Sequence, residues 1–128
     1  KEAALKMMEV SYISCMAIPG GELKHGPLAL LTDGSPVIAL APRDSKLHLM
    51  ESSIRECKSR GAKIILITDS EGSVTDLADI LIQTNPTHEL LSPFMSILPL
   101  QILAYRVGIM KGINVDRPRN LAKSVTVV

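Results

Sequence analysis

Aromatic side chains are nearly missing from this chain: 128 residues hold one phenylalanine, two tyrosines and no tryptophan. Whatever core it builds must be made of Leu, Ile, Val, Ala and Met, as in parallel α/β proteins whose strands are buried on both faces. There is no excess of charge either, with 14 Lys and Arg against 13 Asp and Glu. No basic stripe points to nucleic acid and no acidic tract points to a solvating tail. Arg117, Arg119 and Lys123 are the nearest thing to a basic cluster and are too sparse for a phosphate-backbone footprint. The two cysteines, Cys15 and Cys57, give no disulfide framework. Each is expected as a buried reduced thiol, which suits a reducing cytosol. No stretch stands out as a membrane span and no signal-peptide layout opens the chain, so a cytoplasmic location is expected. Also missing are a phosphate-cradling glycine loop, a serine elbow, and any His/Cys set at metal spacing. The first residue is Lys1 rather than Met, and the helical pattern is already running there, so the sequence reads as a piece of a longer chain.

What is present alternates between strand and helix patterns. Ala3 to Tyr12 reads as the end of a helix, with Leu5, Met8 and Tyr12 on one face. Ile13 to Ile18 reads as a short strand, broken by Pro19-Gly20-Gly21. A short helix is expected over His25 to Leu31, with Pro27 in its first turn. Val37 to Ala41 is an apolar run suited to a buried parallel strand. Asp44 or Ser45 is placed to cap a helix with the stripe Leu47, Met50, Ile54 and Cys57, which Gly61 closes. Lys63 to Thr68 is the clearest strand, Asp69 to Gly72 a turn, and Asp79 to Thr84 a further strand. A last helix opens near Ser92-Pro93 and ends at Gly112, with Pro99 kinking it or marking its true start. Such alternation implies a parallel sheet. Ligands of such sheets bind beyond the carboxyl ends of the strands, here Pro19-Gly20, Pro42-Arg43, Thr68-Asp69 and Asn85-Pro86.

The residues able to do chemistry each have a plain alternative. His25, at a strand-to-helix junction, is either an acid or base near neutral pH or a capping or surface histidine. His48 and His88 read as an exposed helix position and a loop. Lys6 and Glu9, three residues apart on one helix face, either work together in a cleft or form an ordinary exposed pair worth about 0.3 kcal/mol. Lys123 is either a solvated tail charge or an amine able to attack a carbonyl and form a Schiff base. Asp116, Arg117 and Arg119 read as a hydrogen-bonded loop.

Longer stretches carry a resemblance. Gly21 to Leu30 reads GELKHGPLAL, Pro99-Leu100-Gln101 is followed by Leu103-Ala104-Tyr105, and Asp116 to Val127 reads DRPRNLAKSVTV. With Ala3 to Lys6, Glu9 and Ser11 to Ile13, these resemble, in order and from end to end, the C-terminal part of the glutamine–fructose-6-phosphate transaminases, or glucosamine-6-phosphate synthases. The resemblance implies a three-layer αβα parallel sheet of the sugar isomerase (SIS) type that lacks its first strand. Residues 1–112 would be the second SIS subdomain and residues 113–128 a tail carrying the active-site lysine. That family converts fructose 6-phosphate and ammonia to glucosamine 6-phosphate, with no metal or redox cofactor. It works as a dimer that also carries a glutaminase domain and a first SIS subdomain.

By position, Lys123 matches the lysine that forms a Schiff base with the open-chain ketose. His25 matches the histidine that assists ring opening across a dimer interface, and Glu9 the carboxylate that moves a proton between C1 and C2. Lys6 matches a lysine beside that glutamate, and Ala122 a tail residue whose backbone approaches the sugar. The chain departs from the family in two places: Ser14, Cys15 and Met16 stand where His-Ala-Glu is common, and Val128 stands where the family closes on glutamate. The other function these residues allow is a non-catalytic SIS module that binds a sugar phosphate.

Overall fold

The structure is a computed structural model and describes residues 1–121. Its elements in chain order are α1 (Glu2–Ser11), β1 (Pro36–Leu40), α2 (Leu47–Lys58), β2 (Lys63–Thr68), β3 (Ile80–Gln83) and α3 (Ser92–Met110). Short 3-10 segments cover Gly20–His25, Pro27–Leu30, Thr75–Leu77 and Glu89–Leu91. The chain divides into two compact units, Lys1–Ala17 with the stretch from Ile97 onward, and Ile18–Ser96.

The Ile18–Ser96 unit holds a parallel sheet in the order β1-β2-β3, with Val37 beside Ile64 and Ile65 beside Ile80. β2 is central because Ile64, Ile65, Leu66, Ile67 and Thr68 offer apolar or β-branched surface to both faces. On one face Ala39, Ala41, Ile64 and Leu66 pack with Ile54 and Cys57 of α2 and with Leu28, Val74 and Leu77. Full burial of Ile54, Ile64 and Leu66 contributes about 1.5–3 kcal/mol each. Gly61 closes the α2–β2 connection at φ 79°, where a Cβ would lie 2.9 Å from the Asp33 backbone.

Several expectations need correction. Ile13 to Ile18 forms no strand. A strand exists only by pairing, and no ladder runs along this segment among the described residues. β1 is an edge strand rather than a fully buried one, so Ile38 and Leu40 stay exposed. His25 ends one 3-10 segment instead of opening a helix, because Gly26 at φ 133° breaks the run before Pro27 begins the next. α2 has no side-chain cap; Asp44 instead folds the entry by accepting the Lys46 N–H at 2.7 Å. Cys57 is buried as expected, but Cys15 is only half-buried; both are free. Pro99 is accommodated inside a helix that runs unbroken from Ser92 to Met110, and Gly112 at φ 70° follows its end.

The expectation that no stretch could span a membrane also fails on length and composition. Glu89–Met110 covers 22 residues and contains an 18-residue window with a mean hydropathy of 1.4. Leu100, Ala104 and Gly108 are buried on one side of α3, while Phe94, Leu98, Ile102, Tyr105 and Ile109 form an exposed stripe at helical spacing. A core helix with an apolar circumference passes the same test as a membrane span.

Asp79 pins the register of β2 and β3. Its carboxylate accepts the Ile64 N–H at 2.7 Å, and its own N–H donates to Ile64 O at 2.9 Å. The Ile64 N–H first, then Lys58 and Lys63, hold the Asp79 carboxyl below the ordinary range, against the cost of desolvation. A depressed carboxyl stabilises the fold above its unfolded value of about 3.8 and loses that contribution as pH falls through the folded value. The drop in melting temperature between pH 7 and pH 3 is therefore expected to be smaller in Asp79→Asn than in the parent, read by circular dichroism.

Candidate functional site

Glu2 to Glu9 is rich in good helix formers, Ala3, Ala4, Leu5, Lys6 and Met7 among them, which is why α1 forms over this stretch. On its partly exposed face Lys6 Nζ donates to Glu9 Oε2 at 2.7 Å and lies 3.6 Å from Glu2 Oε1. The hydrogen bond to Glu9, reinforced by the charges of Glu9 and Glu2, raises the Lys6 ammonium above its ordinary value, against a smaller desolvation effect. Lys6 is thus a fixed cation beside a carboxylate, and a poor candidate for an amine nucleophile. The structure brings these two expected site residues together.

The C-terminal end of α1 is unusually well tied. Tyr12 adopts the left-handed conformation at φ 56°, ψ 28° and donates its N–H to Met8 O. That conformation costs a non-glycine residue roughly 1–2 kcal/mol. Buried Ser11 donates its hydroxyl to Met7 O, while its own carbonyl accepts Lys111 Nζ at 2.6 Å. A lysine here satisfies a helix-end carbonyl and complements the negative end of the helix dipole. The Tyr12 hydroxyl oxygen accepts the Arg119 N–H at 2.7 Å, and the Arg119 guanidinium stands 4.2 Å from the centre of the Tyr12 ring. Tyr12, Gly108 and Lys111 carry no local motif that would have singled them out. Arg119 was expected only as part of a loop, and the loop is there, with the Arg117 N–H bonded to Asn114 O and the Asp116 N–H to Asn114 Oδ1.

His25 belongs to the Ile18–Ser96 unit, where it is exposed at the end of its 3-10 segment. Neighbouring Lys24 pairs with Glu56 at 2.7 Å. Ala122 and Lys123 lie outside the described residues. His88 caps a 3-10 segment, its Nδ1 accepting the Leu90 N–H at 3.3 Å.

Beyond the carboxyl ends of the strands the Ile18–Ser96 unit forms a shallow recess that includes Pro42, Thr68, Asp69, Thr84, Asn85 and Ser92. Asp69 accepts the Arg43 N–H at 2.6 Å, and Thr68 donates its hydroxyl to Ala41 O at 2.6 Å. These bonds tie the loops after β1 and β2 and bring three of the expected strand ends together. Among the described residues no cluster of His, Cys, Asp and Glu could hold a metal ion.

The SIS domain family pattern matches residues 1–111. The chain belongs to the SIS domain family. A glutamine–fructose-6-phosphate aminotransferase (isomerizing) of Thermococcus kodakarensis is 49% identical over 126 residues, 98% of this chain and 21% of that protein. The Thermus thermophilus counterpart is 46% identical over 127 residues with the same coverage. The chain thus spans about a fifth of the length of these relatives. Among solved structures, the C-terminal domain of the Francisella tularensis glucosamine–fructose-6-phosphate aminotransferase superposes with a TM-score of 0.82 at 39% identity, covering 91% of this chain and 33% of that one. Tagatose-6-phosphate ketose/aldose isomerase from Escherichia coli shares the fold at a TM-score of 0.77 and 18% identity, covering 98% of this chain and 36% of that one. The SIS fold is therefore secure, and the parallel α/β expectation holds.

Within this SIS domain, Gly108 lets α3 lie against the end of α1. A Cβ at this position would sit 2.5 Å from Val10 O and 2.7 Å from Val115 Cγ1. Replacing a helical glycine by alanine ordinarily gains up to about 1 kcal/mol of helix propensity. Here overpacking against backbone outweighs it, and Gly108→Ala is expected to destabilise by about 1–3 kcal/mol. Urea unfolding followed by circular dichroism measures the change; a stabilised variant would contradict the close approach.

Proposed function

We propose that this chain is the sugar-phosphate isomerase part of a glutamine–fructose-6-phosphate aminotransferase. Residues 1–112 would form the second SIS subdomain and residues 113–128 the tail. The observation that carries the proposal is the 2.7 Å Lys6–Glu9 pair on one turn of α1, in a chain 49% identical to an enzyme of that name. The pair has the composition that a ketose–aldose isomerase needs: a carboxylate to move a proton, and beside it a cation that stays charged.

The chemistry follows from the substrate. Fructose 6-phosphate is mostly a closed ring, so a proton must move at the ring oxygen before a ketone exists; His25 is proposed for that step across a dimer interface. Lys123 then attacks C2 of the ketone as a neutral amine and water leaves, giving an iminium. The product carries its nitrogen on C2 without the lysine, so ammonia must displace the Lys123 amine. Glu9 takes the proton from C1 and returns it at C2 while the C1 hydroxyl gives up its own proton to solvent, leaving the aldehyde of glucosamine 6-phosphate at C1. Lys6 positions Glu9, and the backbone at Ala122 approaches the sugar. No metal or redox cofactor is needed for these steps, since no electron leaves the sugar.

The partners in this reading are a second copy of the chain, a first SIS subdomain and a glutaminase domain that supplies ammonia. The compartment is the cytoplasm. Two free cysteines are compatible with a reducing environment. The exposed apolar stripe on α3 is surface of the kind that assembly covers.

Borohydride trapping with fructose 6-phosphate tests the proposal, in an intact aminotransferase that carries this chain as its C-terminal region. A sugar adduct on Lys123 is expected, with its loss in Lys123→Arg and a fall of at least 100-fold in glucosamine 6-phosphate formation, the order of effect of removing a catalytic nucleophile. Sugar binding without any adduct would overturn the catalytic reading in favour of a binding module.

A further inference from the structure

We propose that Tyr12 and Arg119 form a clasp that holds the chain at Arg119 against the end of the helix that carries Lys6 and Glu9, and so limits by chain length how far Lys123 can stand from that helix. The inference rests on the Schiff-base role proposed for Lys123. Both clasp residues act through their neighbours; they are positioning residues and not catalytic ones.

Two features single the clasp out. Its hydrogen bond joins residues 107 positions apart, and a cation over the aromatic face adds a second, independent attraction between the same pair. The two positive-φ non-glycine residues among those described, Tyr12 at 56° and Asn120 at 60°, both lie here, one in the clasp and one beside it. Backbone strain persists only where surrounding contacts hold it in place, and it concentrates at sites with a geometric task.

Chain length supplies the reason for such a task. Glu9 precedes Tyr12 by three residues, about 4.5 Å along a helix axis. Lys123 follows Arg119 by four residues, so covalent geometry limits their Cα separation to about 14 Å. Without the clasp the preceding tie to α3 is Val115, whose Cγ1 packs against Gly108, eight residues before Lys123. That span allows roughly 28 Å. Shortening a tether from eight residues to four raises the effective concentration of its end by about threefold on polymer scaling, before any gain in orientation. The division of labour is also separable by mutation. Tyr12→Phe removes the acceptor of the Arg119 N–H but keeps the ring, whereas Arg119→Met removes the cation but keeps the N–H.

The test has two arms. In the intact aminotransferase carrying this chain, Tyr12→Phe combined with Arg119→Met is expected to slow borohydride trapping at Lys123 by about threefold or more. The turnover number should fall with KM for fructose 6-phosphate and the pH midpoint of trapping unchanged, and Arg119→Lys alone should retain the parent rate. Trapping at the parent rate in the double variant, while Lys123→Arg abolishes the adduct, would overturn the clasp and leave the Schiff-base reading standing. An adduct that survives Lys123→Arg would instead remove the Schiff-base reading on which the proposal rests. The second arm needs no catalysis: hydrogen exchange on the intact aminotransferase carrying this chain should show the Arg119 amide protected, and Tyr12→Phe should abolish that protection. An Arg119 amide that exchanges freely in the parent overturns the clasp outright.

Discussion

The end of α1 is the point on which the Lys1–Ala17 unit and its C-terminal partner stretch depend. A helix cannot satisfy its own last carbonyls, and here the deficit is met from outside the helix. Lys111 caps Ser11 O, Tyr12 turns left-handed to bond back to Met8 O, and Gly108 has no side chain to hold α3 off Val10. Lys111 and Gly108 bring a distant part of the sequence to the same few residues. Because Glu9 lies one turn upstream, the same bonds that finish the helix also fix where its carboxylate stands. Structural need and candidate chemistry thus meet in one turn of helix.

Local signals account for what the sequence disclosed. β2 was legible because its apolar, β-branched run is buried on both faces. α2 was legible because Leu47, Met50, Ile54 and Cys57 repeat at helical spacing and Gly61 is required by a left-handed turn. Lys6 and Glu9 were legible as neighbours for the same reason, since spacing of three on a helix dictates it. What failed depended on something outside the segment. Ile13 to Ile18 has strand composition, but composition supplies no ladder partner. The exposure of Ile38 and Leu40 depends on how many strands flank β1. The contact between Tyr12 and Arg119 leaves no trace in either local sequence. The family resemblance supplied Lys123, His25 and Ala122, which no pattern of spacing singles out.

α3 carries an apolar surface larger than its own contacts use. Its small residues Ala104 and Gly108 are buried, whereas Phe94, Leu98, Ile102, Tyr105 and Ile109 run along an exposed line. Such two-sidedness is what a helix at an internal boundary of a larger assembly requires: small residues for close approach on one side, large ones to fill a facing surface on the other. It also explains why the helix reaches the hydropathy of a membrane span. The property arises from having two apolar faces, one buried and one exposed, and length and composition alone do not distinguish that from burial in lipid.

The two lysines of the proposed site face opposite demands. A Schiff-base lysine must lose its proton to attack a carbonyl, so any close carboxylate that stabilises its ammonium slows it. Glu9 would be such a carboxylate if nothing else engaged it. Lys6 does engage it, through Oε2 at 2.7 Å, and is itself driven further towards the charged form. The positive charge the site requires is therefore supplied by a lysine that does no covalent chemistry. A carboxylate has a second oxygen, and one is enough to accept a proton from carbon. On this argument Lys6, already paired with Glu9, is not interchangeable with Lys123 in the proposed mechanism.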